Sequence, residues 1–297
     1  MTAVASRTRE FVGRRLTATK GALGFLTRIP TGRSEAAWTA FSETPAAFPL
    51  AGWVVGALAA TPFLLSGLGP VPDPTAAFGY LLALYAVTGV NHADGVADLG
   101  DAAAVHGDPD ARRAVLKDTE VGVGAVLALG LVVVGLALAA LALARLPVAA
   151  AVTVVVAAEV GAKFGMAALA CLGDPAFEGL GSAFTDNDPS ALVAPAAVAV
   201  PVVGLGVLLA ALDAPGAAIG ASAVPVVGVR AATLGTSAAG LVAASAAALG
   251  GAVGVALALL RWSRANLGGV NGDVFGATNE LARIAGLHLG VVAWTLS

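Results

Sequence analysis

The sequence predicts an all-α, polytopic integral membrane bundle of about seven transmembrane helices, within a range of roughly six to eight. Two observations carry that prediction. Hydrophobic residues make up 58% of the 297 and charged residues only 12%, whereas soluble globular chains carry about 25% charged residues. Mean hydropathy is +0.88, and the apolar residues gather in blocks of about 20, the length that spans a bilayer core. A third observation locates the chemistry: six of the twelve aspartates lie between Asp94 and Asp118.

Residues 46–69 form the first apolar block. Residues 75–92 form the second, barely long enough, and deliver an acidic motif at its end. The polar insert that follows, 93–120, holds seven acidic and three basic residues, too many to lie in hydrocarbon. Residues 121–144 and 147–171 are further spans, parted only by Arg145-Leu146-Pro147. A polar stretch, 172–190, precedes a span over 191–212. Residues 214–260 admit two short spans broken near Gly235-Thr236-Ser237, or one span and a re-entrant piece carrying Arg230. A last polar segment, 261–283, leads into a short apolar tail, 284–296. The whole reads as one membrane-embedded catalytic domain, 1–297.

Lys and Arg in short loops set orientation. The first 45 residues carry seven: Arg7, Arg9, Arg14, Arg15, Lys20, Arg28 and Arg33. The insert carries Arg112, Arg113 and Lys117, and the last polar segment Arg261, Arg264 and Arg283. The turns near 70–74, 145–146 and 213 share one cation. Segments 1–45, 93–120 and 261–283 are therefore expected in the cytoplasm, at the cell membrane. If 172–190 is also cytoplasmic, an even number of spans must lie between 172 and 261, and two full spans plus a partial one are expected.

Several classes are excluded. A net charge of −3 and a pI near 5.6 give no electrostatic case for nucleic-acid binding. The single cysteine, Cys171, rules out an intramolecular disulfide. The N-terminal cations are spread out, with no apolar core and cleavage site behind them, so no signal peptide is expected.

The chemistry centres on Asn91-His92-Ala93-Asp94-Gly95-Val96-Ala97-Asp98-Leu99-Gly100-Asp101. Asp94, Asp98 and Asp101 stand at i, i+4 and i+7, one face of a helix. Their repulsion calls for an opposing charge. Oxygen-only ligands favour a hard divalent cation, Mg²⁺ or Mn²⁺, and such ions favour phosphate-bearing substrates. The plainer reading is a solvated acidic face at a helix end. His92, two residues before Asp94, suits orientation of a metal-bound oxygen or proton transfer. Arg112, Arg113 and Lys117 suit phosphate oxygens, although a cytoplasmic loop needs such cations anyway. Asp118 is a fourth candidate ligand or a helix N-terminal acid.

Glu159 and Lys163 stand at i, i+4 inside an apolar span, where ionisable groups pair or line a cavity. Gly268-Gly269-Val270-Asn271-Gly272-Asp273-Val274-Phe275-Gly276 is a glycine-rich turn with one carboxylate, followed by Glu280. Asp273, expected at the same membrane face as Asp94, reads as a ligand or base of the same site.

With these pieces in place, the chain resembles the cobalamin synthase (adenosylcobinamide-GDP ribazoletransferase) family. The motifs run in order: Phe25-Leu26-Thr27-Arg28-Ile29-Pro30, Phe48-Pro49-Leu50-Ala51-Gly52 and His92-x-Asp94-Gly95-x-x-Asp98-x-x-Asp101. Lys117-Asp118 with Gly122 and Gly124, then Gly179-Leu180-Gly181, then Gly272-Asp273-Val274-x-Gly276-Ala277 complete the series. Lys163 departs from the arginine expected there. The resemblance implies a reaction in which a hydroxyl of α-ribazole, or of its 5′-phosphate, attacks the cobinamide-side phosphorus of adenosylcobinamide-GDP and GMP leaves. The residues fit that reaction: one or two Mg²⁺ held by Asp94, Asp98 and Asp101 would bridge the pyrophosphate. His92 or Asp273 would take the hydroxyl proton, and Arg112, Arg113 and Lys117 would bind phosphate. The bilayer is the expected surroundings, and a homo-oligomer stays an open alternative.

Two rivals are weighed. A CDP-alcohol phosphotransferase needs an aspartate three residues before Asp94, where Asn91 stands, and Ala-Arg where Asp98-Leu99 stands. A transporter built on Glu159 and Lys163 leaves 93–120 unexplained, since transporters bind near the midplane.

Overall fold

The computed structural model describes residues 2–32, 34–118, 120–213 and 237–297. Among these residues the fold is all-α, with one isolated parallel bridge, Pro175 to Val270. Helices α1 (Thr2–Leu26) and α2 (Glu35–Ser42) form an N-terminal hairpin. Ser34 caps α2 by accepting the amide of Ala37 at 3.2 Å. Helices α3 (Ala47–Ala59) and α4 (Thr61–Ser66) make one crossing, and α5 (Asp73–Thr88) returns. The polar insert folds as α6 (Asn91–Ala104) and α7 (Pro109–Val115). Helices α8 (Val123–Leu143) and α9 (Val148–Leu172) follow. Then come α10 (Val193–Ala199), α11 (Leu205–Asp213), α12 (Ala238–Leu267) and α13 (Gly272–Thr295).

Five of these stretches are long and apolar enough to cross a bilayer: Ala47–Ser66, Val123–Leu143, Val148–Leu172, Pro189–Leu209 and Ala238–Leu267. The 16-residue α5 and the charge-bearing α13 run between the same two ends, so the described bundle is traversed seven times. Arg145 pairs with Asp73 at 3.4 Å, joining the end of α8 to the start of α5 at one end. At the other end, Arg113 donates to Leu267 O at 2.9 Å and Arg264 donates to Leu172 O. The two expected full spans between 172 and 261 are present. The expected partial one, with Arg230 and Gly235-Thr236, lies outside the described residues.

The sequence expectation fails at the C-terminus. Residues 261–283 are not a polar segment, and 284–296 are not a separate tail. Helix α12 runs on to Leu267, a turn of four residues follows, and α13 is one helix of 24 residues. Its charges Glu280 and Arg283 are buried, so they do not mark a loop.

Helix α9 is the axis of the bundle, with 94% of its apolar window buried. Small residues let its neighbours approach. A Cβ on Gly56 of α3 would lie 2.8 Å from Val156 Cα, and one on Gly286 of α13 would lie 3.1 Å from Ala158 Cα. Helix α8 instead turns Val126, Leu127, Leu131, Val134 and Leu138 outward, more than half exposed. Such an apolar flank suits lipid.

Candidate active site

The acidic stripe lies on α6 as the spacing predicts, and α13 crosses it closely. A Cβ on Gly95 would sit 2.5 Å from Asp273 O, and one on Gly276 would sit 3.0 Å from His92 O. Only glycine permits that approach. It brings Asp273, in the first turn of α13, close enough to Asp98 for its charge to bear on that carboxyl group. Burial, together with the charges of Asp273, Asp94 and Asp101, pushes Asp98 up to about 6.

Asn271 sets Asp273 in place. Its Oδ1 accepts the amide of Val274 at 3.0 Å, capping α13, while its Nδ2 donates to Asp273 Oδ2 at 2.7 Å. A helix N-terminus attracts anions, and a Cβ on Gly272 would meet nothing within 4 Å, so this one opens on free space. Gly268, with φ of 79°, ends α12 in the left-handed region. The loop after α9 then pairs with the turn: Val270 N donates to Asp174 O at 2.8 Å and Ala176 N to Val270 O at 2.9 Å. Phe184 from that loop packs on Phe275, Phe48, Phe41 and Phe25 at ring separations of 4.9–6.0 Å. The segments carrying Phe25, Phe48, Gly179-Leu180-Gly181 and Gly272-Asp273 thus meet beneath one helix terminus.

The other expected site residues take different partners. Asp101 accepts the amides of Gly122 at 2.7 Å and Ala125 at 2.9 Å, holding the N-terminus of α8. Asp118 is exposed, accepts the amide of Glu120 at 3.2 Å, and is not among the carboxylates that bear on Asp98. Arg112 donates to Ala102 O at 2.8 Å, capping α6. Arg113 pairs with Asp110 and holds the end of α12. Lys117 is exposed, with its ammonium 5.7 Å from the centre of the Phe177 ring. Among the described residues, no three His, Cys, Asp or Glu side chains converge in a metal-holding arrangement.

Behind this site lies a buried polar network. His92 Nδ1 lies 3.0 Å from Asn279 Nδ2, and the same amide donates to Glu280 Oε1 at 3.0 Å. Asn279 Oδ1 accepts from Lys163 Nζ at 2.5 Å, and Lys163 lies 3.5 Å from Glu159. Arg283 donates to both Glu159 and Glu280. Burial, with Lys163 and Arg283 nearby, holds the His92 imidazole well below its ordinary value. His92 is therefore neutral, and its 3.9 Å approach to Glu280 is not an ion pair. Two carboxylates and two cations then balance inside the bundle, as buried charges require. The expected Glu159–Lys163 pair is present as one edge of this larger set. Asn279 and Arg283 were not legible as its members. The signal was the series 273, 276, 279/280 and 283 at helical spacing, hidden by reading 261–283 as a polar segment.

Fold and site together define a class: a polytopic helical bundle with an all-oxygen acidic site at one end, built from two crossing helices. The family model for cobalamin-5-phosphate synthase matches residues 18–291. The chain belongs to the cobalamin-5-phosphate synthase family. It is 50% identical over 289 residues to an adenosylcobinamide-GDP ribazoletransferase from Halorubrum lacusprofundi, covering 94% of this chain and 98% of that one. It is 51% identical over 229 residues to the protein of the same name from Halobacterium salinarum, covering 77% and 98%. A third of that name, from Haloquadratum walsbyi, is 41% identical over 95% of this chain and 99% of its own. No solved structure matches.

Proposed function

We propose that the protein joins α-ribazole, or its 5′-phosphate, to adenosylcobinamide-GDP with release of GMP, giving adenosylcobalamin or its 5′-phosphate. The observation that carries this reading is the meeting of Asp273 with Asp94 and Asp98 at the open N-terminus of α13. The ribazole hydroxyl oxygen bonds to the cobinamide-side phosphorus, and the bond from that phosphorus to the GMP oxygen breaks. The hydroxyl proton goes to Asp273, the carboxylate that α13 sets beside Asp98. Lys117, whose ammonium reaches no carboxylate among the described residues, binds phosphate oxygens, while Arg112 and Arg113 hold α7 against α6 and α12.

Asp94 and Asp98, one turn apart on α6, are the all-oxygen donors that Mg²⁺ takes. Asp94 and Asp98 would hold the ion. When bound, it supplies charge neutralisation to the pyrophosphate and the departing GMP. The cation distribution favours a site facing the cytoplasm at the cell membrane. A transporter is disfavoured because Glu159 and Lys163 are satisfied by Arg283 and Asn279.

Purified protein in nanodiscs should release GMP from adenosylcobinamide-GDP only with ribazole and Mg²⁺. Asp94→Ala and Asp273→Ala should each abolish release, and the double variant should be scarcely worse, since members of one site are non-additive. Multiplicative losses, or an active Asp273→Ala, would remove Asp273 from the site.

A further inference from the structure

The buried network fixes the orientation of one side chain from two sides. Lys163 has only N–H donors, and its Nζ lies 2.5 Å from Asn279 Oδ1. A turned amide would set donor against donor. On the other edge Glu280, whose Oε2 receives the Arg283 guanidinium, presents Oε1 3.0 Å from Asn279 Nδ2. A turned amide would there set oxygen against carboxylate. Amide orientation in a protein is assigned from such partners, and here both demand the same one.

The consequence passes to α6. With Nδ2 as the donor, His92 Nδ1 must accept at 3.0 Å. A ring nitrogen that accepts bears no proton, so the neutral imidazole carries its proton on Nε2. No partner takes Nε2 among the described residues, and 10% of the side chain stays exposed.

We infer that Lys163 and Asn279 are positioning residues that hold His92 in its Nε2–H tautomer, so that it offers the acidic site a fixed hydrogen-bond donor and not a base. That role rests on the transferase reading; the tautomer does not. The inference separates His92 from Asp273, which the sequence alone leaves as alternatives for the proton.

The full-length protein, labelled with ¹⁵N-histidine in nanodiscs, contains His92, His106 and His288, so its imidazole spectrum is assignable by loss of one set in His92→Gln. The expected result is a protonated Nε2 and a bare Nδ1 for His92. A protonated Nδ1 in the wild type overturns the inference and needs no variant to fold. Asn279→Asp offers only acceptors, so it should move the proton to Nδ1, and an unchanged ring overturns the relay. The same variant should lower kcat for GMP release by about tenfold or more with KM little altered, the pattern of a lost transition-state contact. Wild-type turnover with a switched tautomer overturns the positioning role. Absence of GMP release from the wild type would instead count against the transferase reading.

Discussion

Replacing Gly95 by alanine adds one methyl group where α6 and α13 cross. That methyl would stand 2.5 Å from Asp273 O and 2.9 Å from Asp273 Cα. Ordinary contact needs about 3.5 Å, so the helices must part by roughly 1 Å. Both obstacles are backbone, which has no rotamer to give. Overpacking of this kind costs about 1–3 kcal/mol, and a shift of about 1 Å at a catalytic constellation costs on the order of a hundredfold in rate. Gly276→Ala, whose methyl meets His92 O at 3.0 Å, should lose less. Gly130→Ala, with nothing within 4 Å, should keep full activity and gain a little helix stability. The assay is GMP release beside thermal unfolding for the three variants. A Gly95→Ala protein that matched Gly130→Ala in both would refute the argument that this crossing sets the Asp98–Asp273 geometry.

Asp98→Asn should abolish turnover, by on the order of a thousandfold, as loss of a metal ligand does. Asp101→Asn should cost about 1 kcal/mol in unfolding through the weakened start of α8 and leave measurable GMP release; equal inactivity at normal stability would return Asp101 to the ligand set. Asp98 holds its proton up to about 6 when folded, against an ordinary carboxyl value of 3.8. The metal-free folded state thus binds more protons between those values, so its stability should fall as pH rises from about 4 to 6. Thermal unfolding across that range should show the slope, and Asp98→Asn should flatten it. For orientation, single cysteines at Asp110 and Ala265 in a Cys171→Ala background should resist an impermeant thiol reagent in intact cells; labelling from outside would invert the proposed topology.

The spans were legible wherever 20 apolar residues ran unbroken, because bilayer thickness sets a length that composition alone reveals. The i, i+4, i+7 aspartates were legible because a helix has one period. Helix α13 was not, since Asp273, Asn279, Glu280 and Arg283 depress its hydropathy while their burial depends on partners 116 to 187 residues away. The anchoring of Arg112 and Arg113 was equally hidden. A cation in a loop reads the same whether it meets a phosphate or the carbonyl end of a neighbouring helix.

The charge-balanced interior also imposes an order on biogenesis. Helix α9 enters the bilayer with Glu159 and Lys163 able to satisfy only each other, at 3.5 Å. Helix α13, which follows all its partners in the chain, carries Glu280 and Arg283, and a charge at mid-membrane costs about 2.5–3.5 kcal/mol on insertion scales. Within the helix Arg283 reaches Glu280, but its second carboxylate, Glu159, is met only by docking on α9. A chain stalled before residue 272 therefore holds a half-matched ion pair in its core and no closed site, a state that membrane quality control can tell from the finished protein.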